Sequence, residues 1–189
     1  MPPTKPQLRT HLRATRAAFV ATLPDRAASQ TAATTRILAH LPPGTTLAAY
    51  LATTEELDPL PLLQNAAAQG HTTALPHVTA PDQPMRFLAW HPGDPLVPGP
   101  YGLLQPEFDA PELTPDLIVT PLLGFDRSGG RIGQGAGFYD RAFVAHPFAR
   151  RIGLAWSVQE VASLPLDPWD VPLHAIATET EWIDIAGVR

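Results

Sequence analysis

At 189 residues, 44% of them hydrophobic, the chain has enough apolar material for one sizeable core and does not require two. It contains no cysteine, which excludes disulfides and thiolate metal sites and fits a reducing compartment. A net charge of −5 argues against nucleic acid as the main partner, because phosphate-backbone binders are usually basic.

The charge is unevenly spread. Up to Arg36 there are six basic residues (Lys5, Arg9, Arg13, Arg16, Arg26, Arg36) against one acid, Asp25; the rest holds seven basic residues and seventeen acids. A local cationic patch on an acidic protein suits a small anion better than a polymer. The opening "MPPTKPQLRTHLR" lacks the apolar core of a signal peptide. No apolar run approaches the roughly 18 residues that span a bilayer. The expectation is a cytoplasmic, single-domain protein over residues 1–189, monomeric, with neither nucleic acid nor membrane as partner.

In chain order, Leu8, Leu12, Phe19 and Leu23 recur at helical steps and predict a first helix with an apolar stripe. Lys5, Arg9, Arg13 and Arg16 share another face, either a solvated basic surface or a set of phosphate partners. Pro24 suits the opening of a second helix, running to about His40. "TTLAAYLA" (45–52) reads as a buried strand, and 58–70 as a helix capped by Asp58 and closed by Gly70. "TTALPHV", "MRFLAW", "DLIVTPLLGF" and "RIGLAW" read as further strands, with a Pro-rich surface loop over 91–115. A helix is expected from about Gly135 to His146, and "HAIATETEWIDI" ends the chain as strand. Strands alternating with helices predict an α/β sheet with a large parallel component.

In such folds ligands bind beyond the carboxyl ends of strands, where loops feed helix N-termini. "DLIVTPLLGFDRSGGRIGQGAGFYDRAF" has that form. Gly133, Gly135 and Gly137 allow close approach of backbone to a ligand, and successive N–H groups at a helix start form an anion nest. Arg131 would add charge there, and Asp140 is a plausible Mg²⁺ ligand beside phosphates, unless it is only a helix-start acid. The stretch is neither a P-loop nor a dinucleotide fingerprint. In "YLATTEELDPL", Asp58 reads as an N-cap, while Glu55 or Glu56 could reach a ligand at the strand end. Trp90 and Tyr101 flank the Pro-rich loop, for packing or for stacking on a flat ring. The histidines lack metal-ligand spacing, and no nucleophilic triad is evident.

These residues resemble the 5-formyltetrahydrofolate cyclo-ligase family. Its K-x-x-L-R appears as Lys5 to Arg9, its acidic turn as "YLATTEELD", and its "G-[IVL]-x-[EQ]-P" as Gly102 to Pro106. The long signature ending G-x-G-x-G-[YF]-Y-D appears as Pro121 to Asp140, and "WDVPLHAIATET" keeps the register. The resemblance covers nearly the whole chain. It implies a three-layer α/β fold, a mainly parallel sheet with helices on both faces, like those of ribose-phosphate isomerase and CoA-transferase relatives. It also implies an ATP- and Mg²⁺-dependent ligase that makes 5,10-methenyltetrahydrofolate, ADP and phosphate.

Lys5, Arg9 and Arg131 are the implied catalytic cations. The resemblance implies that they bind ATP together with Ile132, Gly133, Gln134, Gly135, Ala136, Gly137, Phe138 and Tyr139. Leu51, Glu56, Tyr101, Gln134 and Phe138 are the implied folate contacts, and Asp140 and Asp170 the implied Mg²⁺ ligands. Two departures stand out: Phe138 replaces the usual first Tyr of the pair, and His174 stands where the family usually has Asp. The second implies re-tuned metal binding or a tolerant position. A non-catalytic folate- or nucleotide-binding member of the family is the alternative function.

Overall fold

The structure, a computed structural model, describes residues 4–80 and 83–188. Helix α1 spans Lys5–Thr22. Thr4 and Gln7 close a reciprocal capping box at its start, and Pro6 sits in the first turn, where a missing N–H breaks no bond. Helix α2 (Arg26–Leu38) opens two residues later than Pro24 suggests, because the Asp25 carboxylate accepts from the Ala28 N–H at 2.9 Å. Strand β1 (Thr46–Ala48) leads through an acidic turn to α3 (Leu60–Ala68). Asp58 does serve the start of α3, accepting from the Leu60 N–H at 2.9 Å, with Pro59 at the cap position itself.

Strands β2 (Thr72–His77) and β3 (Arg86–Ala89) follow, and then a short ribbon of β4 (Val97–Pro98) and β5 (Leu104–Gln105) inside the Pro-rich segment. The apolar run 116–125 divides into β6 (Leu117–Pro121) and β7 (Gly124–Phe125), and β7 pairs with β8 (Arg131–Ile132) in a second ribbon. Helix α4 (Phe138–Ala145) starts three residues later than expected, because the glycine loop runs on to Gly137. Strand β9 (Arg150–Leu154) precedes β10 (Ala175–Ala177) and β11 (Trp182–Asp184), which pair antiparallel; the C-terminal run is two strands, not one.

The main sheet has the order β11-β10-β9-β6-β1-β2-β3. The five central strands run parallel, and β3 and β11 close the edges antiparallel. Period-two alternation sends Leu47, Ala49, Leu117, Val119, Ile152 and Leu154 to one face, against Ala33 and Ile37 of α2 and Leu62, Leu63 and Ala66 of α3. Ala48, Ala74, Ile118 and Ile176 go to the other face, against Ala142 and Phe143 of α4. Strands buried on both faces explain the unbroken apolar runs in the sequence. Ile118, fully enclosed at the sheet centre, is a sensitive point: truncation to Ala would cost ~2–5 kcal/mol.

From β1 the chain moves outward through α3 to β2, whereas from β6 it moves the other way to β9 and β10. The loops leaving β1 and β6 therefore diverge and leave a crevice at their carboxyl ends. Among the described residues no helix is long and apolar enough to cross a membrane.

Candidate active site

The loop after β1 is pinned from several sides. Tyr50 donates its hydroxyl to the Leu57 carbonyl at 2.5 Å, the Trp156 indole donates to Glu55 O at 2.9 Å, and Arg26 donates to Thr54 O at 2.7 Å and Glu56 O at 3.2 Å. Glu56 folds back so that Oε2 accepts from the Thr53 N–H at 2.9 Å. Of the two candidate acids it is Glu56 that lines the crevice, with Leu51 beside it. Trp90 is a core residue, buried, with its indole N–H on Asp94 O at 3.2 Å.

The loop after β6 is shaped by Asp126. Its Oδ1 accepts from the N–H groups of Ser128 and Gly130 at 3.0 Å each, and its Oδ2 from Leu164 N–H at 2.9 Å. This knot folds the β7–β8 ribbon and delivers Arg131 to the crevice. The Arg131 side chain is 6% exposed, lies over the Phe143 ring at 5.0 Å and donates to Asp140 Oδ1 at 2.6 Å. Its Nε is buried with no hydrogen-bond partner among the described residues. The glycine loop then turns into α4 with Gly137 at φ 68° as the cap residue.

Helix α1 completes the site from the side. Arg9 donates to the Gly133 carbonyl at 2.9 Å, and Arg13 donates to Gln134 Oε1 at 2.6 and 3.1 Å, which turns that side chain toward α1. Lys5 bridges Asp167 at 2.6 Å and Asp170 at 2.7 Å. Lys5, Arg9 and Arg16 thus face protein, and of the basic row only Arg13 is a surface residue. Leu12 seats the helix in a small cluster with Leu123 and Ile132.

Burial opposes the Lys5 charge, but the hydrogen bonds it donates to Asp167 and Asp170 outweigh it, so its pKa stands above the ordinary lysine value. Burial likewise opposes ionisation of Asp170, and Lys5 together with the Asp167 N–H overrides it, holding the carboxyl below its usual range. Burial, reinforced by the Glu56 charge, raises the phenols of Tyr50 and Tyr139, so both remain protonated donors near neutral pH.

One cavity of about 1200 Å³ joins these parts. Lys5, Arg9, Leu51, Glu56, Asp170 and every residue from Arg131 to Asp140 line it. The Tyr101 side chain lies outside the described residues. His174 is elsewhere: it sits beside β10, its Nδ1 accepting from the Arg151 N–H at 2.9 Å, so it does not stand with Asp170 in the crevice. Sequence reasoning missed Asp167, which shares Lys5 with Asp170; Trp169, exposed at the cavity wall; and the buried Arg16 beside Glu56. The Asp-x-x-Asp spacing of 167 and 170 was a legible signal; the position of Trp169 was not.

Comparison with known proteins places this geometry. A family model described as the 5-formyltetrahydrofolate cyclo-ligase family matches residues 2–179. The chain is 34% identical over 157 residues to a 5-formyltetrahydrofolate cyclo-ligase of Escherichia coli, covering 77% of this chain and 83% of the relative. It is 30% identical over 178 residues to that of Haemophilus influenzae, covering 90% and 95%. The solved 5,10-methenyltetrahydrofolate synthetase of Aquifex aeolicus superposes with a TM-score of 0.81 at 25% identity, over 98% of this chain and 94% of that one. The synthetase of Mycoplasma pneumoniae, at 21% identity and a TM-score of 0.71, shares the fold. The chain belongs to the 5-formyltetrahydrofolate cyclo-ligase family.

Proposed function

We propose that the enzyme, a ligase, converts 5-formyltetrahydrofolate to 5,10-methenyltetrahydrofolate while ATP becomes ADP and phosphate. The observation that carries this reading is one cavity with two differently built ends: a cation-lined glycine loop and a pinned, buried carboxylate. A triphosphate suits the first end. Arg131 has a buried Nε with no hydrogen-bond partner among the described residues, Lys5 and Arg9 flank the loop, and the N-terminus of α4 opens there. A pterin suits the second end, where Glu56 accepts from ring N–H groups and Leu51 packs on the flat surface, with Tyr101 as a proposed cover.

An N-formyl amide is a weak electrophile for the neighbouring N10 amine. Attack of the formyl oxygen on the γ-phosphorus breaks the bond to ADP and makes that oxygen a leaving group. N10 then bonds to the formyl carbon, loses its proton, and the C–O bond breaks to release phosphate. No protein nucleophile is required. The chain's task is alignment and charge stabilisation: Lys5, Arg9 and Arg131 draw charge from the γ-phosphoryl oxygens, and the glycine loop lets backbone N–H groups approach them.

Asp140 and Asp170 would hold Mg²⁺. They are hard oxygen donors close together, since Asp140 Oδ1 also accepts from the N–H of Val171 at 3.4 Å. Two carboxylates suit Mg²⁺ when phosphate and water supply the remaining positions. When bound, the ion neutralises phosphate charge. The test is direct: mix protein, Mg-ATP and 5-formyltetrahydrofolate, and follow the absorbance of the methenyl product. ATP-dependent formation of that product is expected. Binding of both ligands without product would overturn the reading in favour of a non-catalytic binder.

A further inference from the structure

We propose that Arg16 is a positioning residue for the reduced-folate substrate, aiming the Glu56 carboxylate from behind; this rests on the reading that Glu56 holds the pterin. Arg16 lies eleven residues after Lys5 on α1, which brings it to nearly the same helix face about 16 Å further along. The same stripe that supplies Lys5 and Arg9 to the phosphate end therefore reaches the pterin end.

Arg16 is 4% exposed, and its Nη1 lies 3.8 Å from Glu56 Oε1. Neither Nε nor Nη1 of Arg16 has a hydrogen-bond partner among the described residues. Glu56 itself is 8% exposed. Its backbone is fixed by the turn and its Oε2 by Thr53, whereas Oε1 makes no hydrogen bond among the described residues. That oxygen is left to accept from a ligand N–H, and Arg16 is the cation that sets where it points. A buried guanidinium beside a buried carboxylate costs more than an apolar pair of the same size. A structural strut could be built without it, and a directed carboxylate could not.

The experiment compares R16K, R16Q, E56Q and the double variant R16Q/E56Q. It uses steady-state kinetics in each substrate, isothermal titration with Mg-ADP and thermal unfolding. R16K keeps the charge but loses the fork, so the KM for 5-formyltetrahydrofolate should rise ~10-fold while the KM for ATP stays within about twofold. R16Q should lose ~100-fold in folate kcat/KM and keep its Mg-ADP affinity, with R16K as partial rescue. In the E56Q background R16Q should add less than about threefold, because the two residues act as one unit. If R16Q does not fold, R16K and the double variant carry the same comparison.

Equal losses for ATP and folate in R16K, in step with its melting temperature, would overturn the proposal and leave a structural pair. A normal R16K beside an impaired E56Q would also overturn it, while sparing the role of Glu56. An E56Q enzyme with unchanged folate KM would overturn the reading of Glu56 and this proposal with it.

Discussion

Lys5 is held by two carboxylates and Arg131 by a third, so cations suited to a triphosphate are paired with acids suited to a divalent ion. Such pairing keeps a buried cluster of charges tolerable and fixes rotamers in advance of binding. It also makes stability depend on pH at both extremes. The Asp170 pKa is depressed in the fold, so its contribution is present above the unfolded value of ~3.9 and is lost as pH falls through the lower folded value. Lys5 is raised, so its contribution is complete below ~10.4 and is lost as pH rises through its higher folded value. Thermal unfolding followed against pH should show both limbs. D170N should flatten the acid limb and K5M the alkaline one; a D170N profile that still falls as steeply in acid would assign that limb to other carboxylates.

Among the elements, the glycine loop is the least replaceable. Gly135 has φ 108°, a conformation L-residues rarely adopt, and an added Cβ would stand 3.3 Å from the Arg9 guanidinium carbon. G135A should cost ~1–3 kcal/mol in stability. By displacing Arg9 it should lower kcat/KM for ATP ~10–100-fold, measured by coupled ADP release. The junction of β9 and β10 makes a different case. His174 Nδ1 accepts from the Arg151 N–H, so a neutral ring carries its proton on Nε2, which faces Arg151 Nη2 at 3.2 Å, donor against donor. Arg151 is buried enough that desolvation pulls its pKa down. Arg151 Nε already donates to the Pro172 carbonyl at 2.9 Å. H174D would add a second, charged acceptor at Nη2, and a gain of ~1 kcal/mol corresponds to a Tm increase of about 2–4 °C, with kcat unchanged.

Both elements show what the sequence could and could not convey. The alternating glycines and the apolar strand runs were legible because each is set by local geometry. The division of 116–125 into two strands was not, since Leu122 and Leu123 are apolar throughout and only the return of Arg131–Ile132 onto Gly124–Phe125 separates them. Nor could the place of His174 be read, because its partner lies on the neighbouring strand, 23 residues away.

At the scale of the whole molecule, α1 is the member that ties both ends of the crevice together. It follows none of the sheet's crossovers, yet Lys5 meets Asp167 and Asp170, Arg9 meets the glycine loop and Arg16 meets the β1–α3 turn. Its periodicity was plain in the sequence; that its basic stripe turns inward depends on contacts more than 100 residues distant. Leu12 is the apolar anchor of that stripe, 2% exposed between Arg9 and Arg16 and packed on Leu123 and Ile132. L12A should cost ~2–5 kcal/mol, lowering the Tm by roughly 4–20 °C for a chain of this size. On the proposed assignment of α1 groups to both ligands, L12A should raise the KM for ATP and for the reduced folate together. K5M should act on ATP alone and R16K on the folate alone. If L12A melts earlier yet keeps both KM values, α1 is only a cover on the sheet end and the site is organised by the loops after β1 and β6.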